Sequence, residues 1–162
     1  MVEKEDNELQ LSRIDIKEAH KLWEMQVKAF AALYQKYQDT ETSPAAETVE
    51  RIMTRLQQPF TYYYWIQENG ESVGAVLVVD KKENDTPKRI SPIFILPQFQ
   101  NQRLAQKAIR AVEELHGSSN WELDTILQEK GNCYLYEKMG YRPTGKTKVI
   151  NDKMTLIFYK KD

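Results

Sequence analysis

The hydrophobic and polar positions in the first third of the chain predict one strand and two helices. After a polar segment, residues 1–8, the apolar side chains of residues 9–14 alternate as in a short strand. Apolar residues then recur at helical spacing over residues 15–38, with Asp15 as the predicted N-cap. Ser43-Pro44 supplies an N-cap and a proline in the first turn, which predicts a second helix to about Gln57.

The middle of the chain predicts a hairpin, a further strand and an amphipathic helix. Aromatic and apolar residues 61–67 and 72–79 are strand-like, and Asn69-Gly70 between them is a strong hairpin turn. A third apolar run, residues 90–96, passes through a short polar loop into a helical pattern over residues 104–115. Gly117 stands at the C-terminal stop position of that helix.

The last third of the chain predicts a strand, a short helix and a second hairpin. Residues 121–127 are strand-like, and the segment from Asn132, its predicted N-cap, to Gly140 is helical. Residues 141–150 and 154–159 form the hairpin. The resulting order, β-α-α-β-β-β-α-β-α-β-β, predicts a mixed sheet flanked by helices. Because no repeat or linker divides the chain, we expect a single domain over residues 1–162.

Composition and charge narrow the function classes. The net charge is −1, from 23 basic and 24 acidic side chains, which argues against binding to nucleic acid or to a membrane surface. No apolar run approaches the roughly 20 residues of a membrane span, and the acidic N-terminus does not resemble a signal peptide. Cys133 is the single cysteine, so no internal disulfide can form. We expect a cytoplasmic protein.

The junction between the strand of residues 90–96 and the helix of residues 104–115 is a candidate phosphate site. Such a junction directs unpaired backbone N–H groups and the positive end of a helix dipole toward one point. Water satisfies the same donors at most strand-to-helix connections, so the segment alone leaves both interpretations open.

A second motif strengthens the phosphate interpretation. The loop has the pattern Gln100-x-x-Arg103-x-Ala105, and Asn132 is followed by Leu135-Tyr136-Glu137-Lys138-Met139-Gly140-Tyr141. In sequence, order and spacing the two blocks resemble the GNAT superfamily of acyl-CoA-dependent N-acyltransferases, over nearly the whole chain. The chain departs from the family pattern at one loop position, where Arg103 replaces a glycine.

The resemblance implies a mixed α/β (α+β) fold, with a twisted, mostly antiparallel central sheet of about seven strands and about four flanking helices. It implies acetyl-CoA as co-substrate, without a metal. The loop would bind the pyrophosphate mainly through backbone N–H groups, and Asn132 would contact the pantetheine arm or the adjacent backbone. The strand before the loop would offer main-chain groups to the pantetheine as to a neighbouring strand. The cofactor-binding residues implied are Ile93, Phe94, Ile95, Gln100, Asn101, Gln102, Arg103, Leu104, Ala105, Asn132 and Tyr136.

The resemblance also assigns a catalytic role to Tyr136. Acyl transfer to an amine needs a proton for the departing thiolate. A thiol has a pKa of roughly 8.5 and a phenol of roughly 10, so a positioned tyrosine can act as general acid. The alternative is that Tyr136 is an aromatic side chain that packs on the sheet. Tyr134, two residues earlier, is expected to be structural.

Arg103 leaves three interpretations open. In the first, the side chain turns to solvent and the backbone still binds the pyrophosphate. In the second, the guanidinium itself binds phosphate. In the third, the arginine prevents phosphate binding. We favour the first, because helical backbone angles at the start of a helix do not require glycine.

The acceptor side is weakly specified. In the resembled fold the first two helices and their connection cover the acceptor, and Tyr34 and Asp39 are our candidates for binding a cationic amine, although a core stripe and a polar loop explain the same residues. The expected partners are a small-molecule or peptide amine and, as one option, a second copy in a homodimer. The leading function is an N-acetyltransferase that transfers acetyl directly to a primary amine; the alternative is a non-catalytic module that binds or senses acyl-CoA.

Three further predictions concern side chains outside the motifs. His20 and His116 show no metal-ligand spacing and are expected at the surface. Cys133 is expected to be a small buried hydrophobe, although it could act as a nucleophile if a partner were positioned. The pairs Lys81-Lys82 and Lys160-Lys161 are expected to be solvated.

Overall fold

Seven strands form one sheet in the computed structural model, which describes residues 9–100 and 102–162. The segment 1–8 and the predicted phosphate-loop residue Asn101 lie outside the described residues. The strands are β1 (Leu9–Arg13), β2 (Thr61–Glu68), β3 (Glu71–Val79), β4 (Lys88–Ile95), β5 (Trp121–Ile126), β6 (Arg142–Val149) and β7 (Thr155–Lys161). The helices are α1 (Ala19–Tyr37), α2 (Val49–Leu56), α3 (Leu104–His116) and α4 (Lys130–Lys138).

The sheet is mixed and mostly antiparallel, as predicted. Its strand order is β1-β2-β3-β4-β5-β7-β6, and β4 and β5 are the parallel pair among the described strands. The predicted element order and the turn at Asn69-Gly70, which joins β2 to β3, are confirmed. Apolar and aromatic runs could predict the central strands because both of their faces are buried, as in β3, where the residues from Val73 to Val78 are all buried.

Helices cover both faces of the sheet. One apolar cluster joins α3 and α4 to the sheet through residues such as Ile90, Ile109 and Leu123. A second cluster joins α1 and α2 to the opposite face, with Leu22 and Ile52 completely buried.

The predicted helix over residues 43–57 is wrong as a single element. Ser43 caps a short 3₁₀ turn, Pro44–Ala46, through a bond from the Ala45 amide to its hydroxyl. The chain is extended at Glu47, and α2 starts afresh after its own N-cap, Thr48. Two N-caps in close succession stop the first turn from continuing into the second.

The start of α4 also differs from the prediction. Glu129 precedes the helix, and its carbonyl accepts hydrogen bonds from the amides of Asn132 and Cys133. Asn132 therefore lies inside the first turn of α4 and is not the N-cap. Its exposed amide side chain remains available to another partner.

Two surface predictions are wrong, and three other predictions are confirmed. His116 is buried, with 3% of its side chain exposed, between Asp80 and Tyr64. Lys161 is largely covered and its Nζ lies 2.9 Å from Glu113 Oε1. Asp15 caps the turn before α1, His20 is exposed, and Cys133 is buried.

The sheet opens between β4 and β5. Their parallel pairing is confined to Lys88 with Trp121 and Arg89 with Glu122, at the start of both strands. On its other side β4 pairs with β3 from Arg89 to Ile95, across a bulge opposite Leu77. The two strands therefore diverge along their length and leave a gap in the middle of the sheet.

The edge strand β6 is exposed along its whole length. It pairs with β7 on both sides of a bulge between Pro143 and Thr147, where Gly145 has a φ of 93°. The bulge contains a left-handed backbone position, which glycine adopts without strain.

Among residues 9–100 and 102–162, no helix combines the length and the apolar character that crossing a membrane requires.

Candidate active site

A cavity of about 410 Å³ occupies the gap between β4 and β5 and extends under α1. The sheet contributes both strand walls, α4 one end, and α1 with the following loop a cover. The lining residues are Phe30, Leu33, Tyr37, Asp39, Thr42, Ser43, Pro44, Arg89, Ile90, Ser91, Pro92, Ile93, Asp124, Thr125, Ile126, Asn132, Tyr136, Lys148, Met154, Leu156 and Phe158.

The cavity connects the two faces of the sheet. Ile90 and Tyr136 belong to the core cluster on the α3 and α4 side. Phe30 and Leu33 lie on α1, which covers the opposite face. The cavity therefore spans the sheet through the gap.

Tyr136 lies on α4 at the cavity wall and is 7% exposed. Its ring centroid is 6.0 Å from that of Tyr141 and 6.3 Å from that of Tyr159, and the Tyr159 hydroxyl is anchored by donation to Glu137 at 2.8 Å. Burial, with a contribution from the negative charge of Asp124, raises the pKa of Tyr136 above its ordinary value. The phenol is therefore protonated at neutral pH, as a proton donor must be. Tyr134 on the same helix is 68% exposed.

The backbone of β4 presents two residues toward the gap. The Leu96 amide donates to the Val73 carbonyl of β3, and the Phe94 carbonyl is so close to β3 that a Cβ on Gly74 would lie 2.1 Å from it. Because backbone groups alternate sides along a strand, Ile93 and Ile95 direct theirs toward β5. The Gln100 side chain donates to the Ile95 carbonyl at 3.0 Å. The Ile93 N–H and C=O and the Ile95 N–H remain on the gap side.

The loop before α3 brings most of the predicted phosphate-binding residues together. A 3₁₀ turn, Pro97–Phe99, leads to Gln100, and α3 begins at Leu104. Leu104 is buried and fixes the first turn in the core, while Gln102 and Arg103 are exposed. The first turn of a helix carries N–H groups without helical partners. In α3 these include the N–H groups of Leu104 and Ala105. The local geometry therefore fits an anion-binding turn.

The backbone at Arg103 is not helical, so our reason for tolerating an arginine at this position is wrong. Arg103 precedes α3 with φ 61° and ψ 22°, in the left-handed region that favours glycine. The side chain is nevertheless exposed, and the Arg103 carbonyl accepts the Lys107 amide at 3.1 Å. Arginine therefore adopts the conformation that glycine would allow without strain.

The two predicted acceptor residues have different positions. Asp39 lines the cavity, but its Oδ1 accepts the amides of Glu41 and Thr42, and its Oδ2 accepts the Thr42 hydroxyl. Among the described residues, Tyr37 lines the cavity, whereas Tyr34, one helical turn earlier, does not. The Tyr37 hydroxyl donates to Glu129 at 2.6 Å, which ties α1 to the start of α4.

Sequence reasoning missed an ion pair at the gap. Arg89, at the last paired position of β4, forms an ion pair with Asp124, two residues beyond the last paired position of β5, and both line the cavity. A signal was available: Trp121 and Leu123 are buried on one face, so alternation places Asp124 on the other. Its partner could not be inferred, because strand pairing is not encoded locally.

Among residues 9–100 and 102–162, no group of three or more His, Cys, Asp or Glu side chains could hold a metal ion.

A family model described as an acetyltransferase (GNAT) domain matches residues 59–143, just over half of the chain. The chain belongs to the GNAT acetyltransferase family. The matched segment of this GNAT protein includes the β4–β5 gap, the loop before α3 and Tyr136. A search of curated proteins finds no match.

Solved GNAT structures share the fold at low sequence identity. Spermidine N-acetyltransferase from Vibrio cholerae, in complex with CoA and spermine, superposes with a TM-score of 0.73 at 13% identity over 93% of each chain. Microcin C7 self immunity acetyltransferase, in complex with acetyl-CoA and AMP, gives 0.71 at 14% identity over 96% of this chain and 93% of that one. The ribosomal-protein-S18-alanine N-acetyltransferase from Escherichia coli gives 0.66 at 13% identity over 94% and 92%. These similarities establish the fold, and they include N-acetyltransferases with different acceptors.

Proposed function

We propose that this GNAT protein transfers an acetyl group from acetyl-CoA directly to a primary amine. The observation that carries the proposal is the cavity through the β4–β5 gap. Its lining comes from both faces of the sheet, with the buried Tyr136 at its wall. A two-substrate reaction without a covalent enzyme intermediate needs such a shared chamber, because both reactants must be in place at once.

The proposed placement of acetyl-CoA follows from the free backbone donors. The N-terminus of α3, from its N-cap Arg103 to Ala105, would receive the pyrophosphate. The gap side of Ile93 and Ile95 would receive the pantetheine amides as a sheet edge receives a strand. Asn132, exposed at the start of α4 and lining the cavity, would contact the same arm. Phe94 would contribute through packing, since its backbone carbonyl faces β3.

The proposed chemistry assigns each proton. A neutral amine forms the new C–N bond as the C–S bond breaks, and bound acetyl-CoA supplies the activated acyl group. A β4 backbone N–H stabilises the charge on the carbonyl oxygen. Tyr136 gives its proton to the departing thiolate, the amine nitrogen loses its proton to water or a carboxylate, and solvent returns a proton to Tyr136. The raised pKa of Tyr136 favours donation that is concerted with C–S cleavage over a free phenolate.

The substitution Tyr136→Phe tests the catalytic assignment. It removes one hydroxyl and keeps the ring between Tyr141 and Tyr159, so we expect the affinity for acetyl-CoA to be unchanged in calorimetry. We expect kcat for thiol release to fall by about 10²-fold. Tyr134→Phe, on the exposed side of the same helix, is the matched control and should keep the parent rate. Equal rates for Tyr136→Phe and the parent protein would remove Tyr136 from the mechanism.

A second candidate function is a non-catalytic module that binds acyl-CoA. The observation in its favour is Arg103, which holds a position suited to glycine in the loop that would receive the pyrophosphate. CoA binding in calorimetry, without thiol release from acetyl-CoA over a broad panel of amines, would support this function and exclude the first. Absence of CoA binding would exclude both.

A further inference from the structure

The cavity floor beneath α1 is a set of side chains on one face of β5, β7 and β6. Asp124 pairs with Phe158, and Leu156 pairs with Lys148. Cross-strand partners share a face of the sheet, and so do residues two apart on a strand. Asp124, Phe158, Leu156 and Lys148 therefore share one face, and all four line the cavity.

The two ends of this floor carry opposite charges. Asp124 lies at the inner end, beside the gap, and is held by Arg89. Lys148 lies at the outer end on the exposed strand β6, and the Lys146 ammonium is 4.6 Å from the Phe158 ring centroid. Within the described part of the chain, no carboxylate lies within ion-pair distance of Lys146 or Lys148. The outer end can therefore accept an anion.

The region between the two charged ends is apolar. Phe158 and Leu156 form its floor, and Phe30 and Leu33 of α1 cover it. The other carboxylate of the lining, Asp39, has both oxygens engaged by its own loop. A second ammonium group in this chamber would therefore lack a carboxylate partner.

We propose that the acceptor is an amine with an apolar body and an anionic group at its far end. This inference rests on the proposed function and specifies its second substrate. Asp124 accepts a hydrogen bond from the amine next to the gap, while Lys148, with Lys146, binds the anion at the mouth. The strand spacings place the two Cα atoms about 12 Å apart, two strands across and two residues along. Side chains that stand perpendicular to the sheet keep the two charged groups at about this spacing, which suits a body of about five to eight carbons.

Three acceptors of equal chain length test the inference: ω-aminooctanoate, n-octylamine and diaminooctane, each assayed for thiol release from acetyl-CoA. We expect kcat/KM to be about tenfold higher for the amino acid than for the alkylamine, and lowest for the diamine. Lys148→Glu should reverse the order of the amino acid and the diamine. Lys153→Glu, at an exposed lysine in the β6–β7 turn that does not line the cavity, is the matched control and should leave the order unchanged.

The inner end has its own test. Asp124→Asn should lower kcat/KM by about tenfold for all three amines and leave the affinity for CoA unchanged in calorimetry. Glu122→Gln, at an exposed carboxylate on the same strand, should keep the parent values.

The outcomes separate this inference from the proposed function. Turnover of all three amines with equal kcat/KM, or a preference for the diamine, would overturn the inference and leave the acetyltransferase intact. A preference for the amino acid that Lys148→Glu does not change would also overturn it. Failure of the parent protein to bind CoA or to release thiol with any amine would overturn the proposed function and the inference together.

Discussion

At the scale of a single residue, Arg103 combines a strained backbone with an exposed side chain. A residue other than glycine in the left-handed region loses roughly 1–2 kcal/mol, because its Cβ crowds the following carbonyl. The N–H groups of the first α3 turn do not depend on the Arg103 side chain, which is exposed. The position can therefore tolerate arginine at a cost in stability.

We expect Arg103→Gly to stabilise the protein by about 1 kcal/mol and to leave CoA affinity within a few-fold. Urea unfolding and calorimetry measure the two effects. Arg110→Gly, at an exposed position inside α3, is the control and should destabilise by about 1 kcal/mol. A tenfold gain in CoA affinity on Arg103→Gly would instead show that arginine obstructs the loop, and would favour the non-catalytic module.

At the scale of the elements, the approach of β3 to β4 defines one side of the gap. Gly74 lets the Phe94 carbonyl lie against β3, which leaves Ile93 and Ile95 as the residues that face β5. Glycine fits this position in a core strand because it has no Cβ and lets the neighbouring backbone approach closely.

Gly74→Ala should destabilise the protein by about 3 kcal/mol or more, because its Cβ would lie 2.1 Å from a backbone oxygen that cannot move without breaking the ladder. Denaturant unfolding measures the change. Gly131→Ala, in the first turn of α4 with no atom within 4 Å of the added Cβ, is the control and should be neutral or stabilising. A Gly74→Ala protein as stable as the parent would mean that β3 and β4 can separate without loss.

The sequence could predict most helices and strands, but not the first residue of α4 or the separation of β4 from β5. Strands and α3 follow from local periodicity and turn residues such as Asn69-Gly70. The start of α4 was misplaced because Asn132 satisfies the N-cap preference equally well on local grounds. The β4–β5 gap depends on pairing between segments distant in the sequence, so the Arg89–Asp124 pair could not be found before the fold was known.

At the scale of the whole molecule, a buried histidine links the end of α3 to the sheet. His116 Nδ1 lies 2.7 Å from Asp80 Oδ2, and its Nε2 lies 2.8 Å from the Tyr64 hydroxyl. An ionised Asp80 can only accept, so Nδ1 carries the proton and Nε2 accepts from Tyr64. Burial lowers the pKa of His116, reinforced by Lys82 and Lys88 and opposed by Asp80. The folded protein therefore favours neutral His116.

This network predicts a loss of stability in mild acid. The unfolded chain binds a proton on His116 near pH 6.5, whereas the folded chain does so only at lower pH. Stability is therefore complete above about pH 6.5 and falls below it, by at most about 1.4 kcal/mol per pH unit. The pKa of Asp80 is also lowered, because hydrogen bonds from His116 and the Lys82 amide outweigh its burial, so its contribution is lost at more acidic pH.

Urea unfolding between about pH 4.5 and 8 tests this prediction. This range extends roughly two units below and above the ordinary pKa of histidine. His116→Gln removes the proton uptake and should flatten the curve below about pH 6.5, although its overall stability will be lower. His20→Gln, at an exposed site, should reproduce the parent curve. A parent curve that is already flat in mild acid would contradict a neutral His116 in the folded state.

The gap between β4 and β5 also leaves part of β4 without a neighbouring strand on one side. Its backbone amides should therefore exchange with solvent deuterium as those of an edge strand do. The amides of Ile93 and Ile95 face the gap, whereas those of Val76 and Val78 lie on β3, which is paired on both sides. We expect the first pair to exchange faster than the second in the free protein. Acetyl-CoA should slow the exchange at Ile93 and Ile95 selectively, because it would occupy the missing strand position. Unchanged exchange in the presence of saturating acetyl-CoA would mean that this stretch of backbone does not hold the pantetheine.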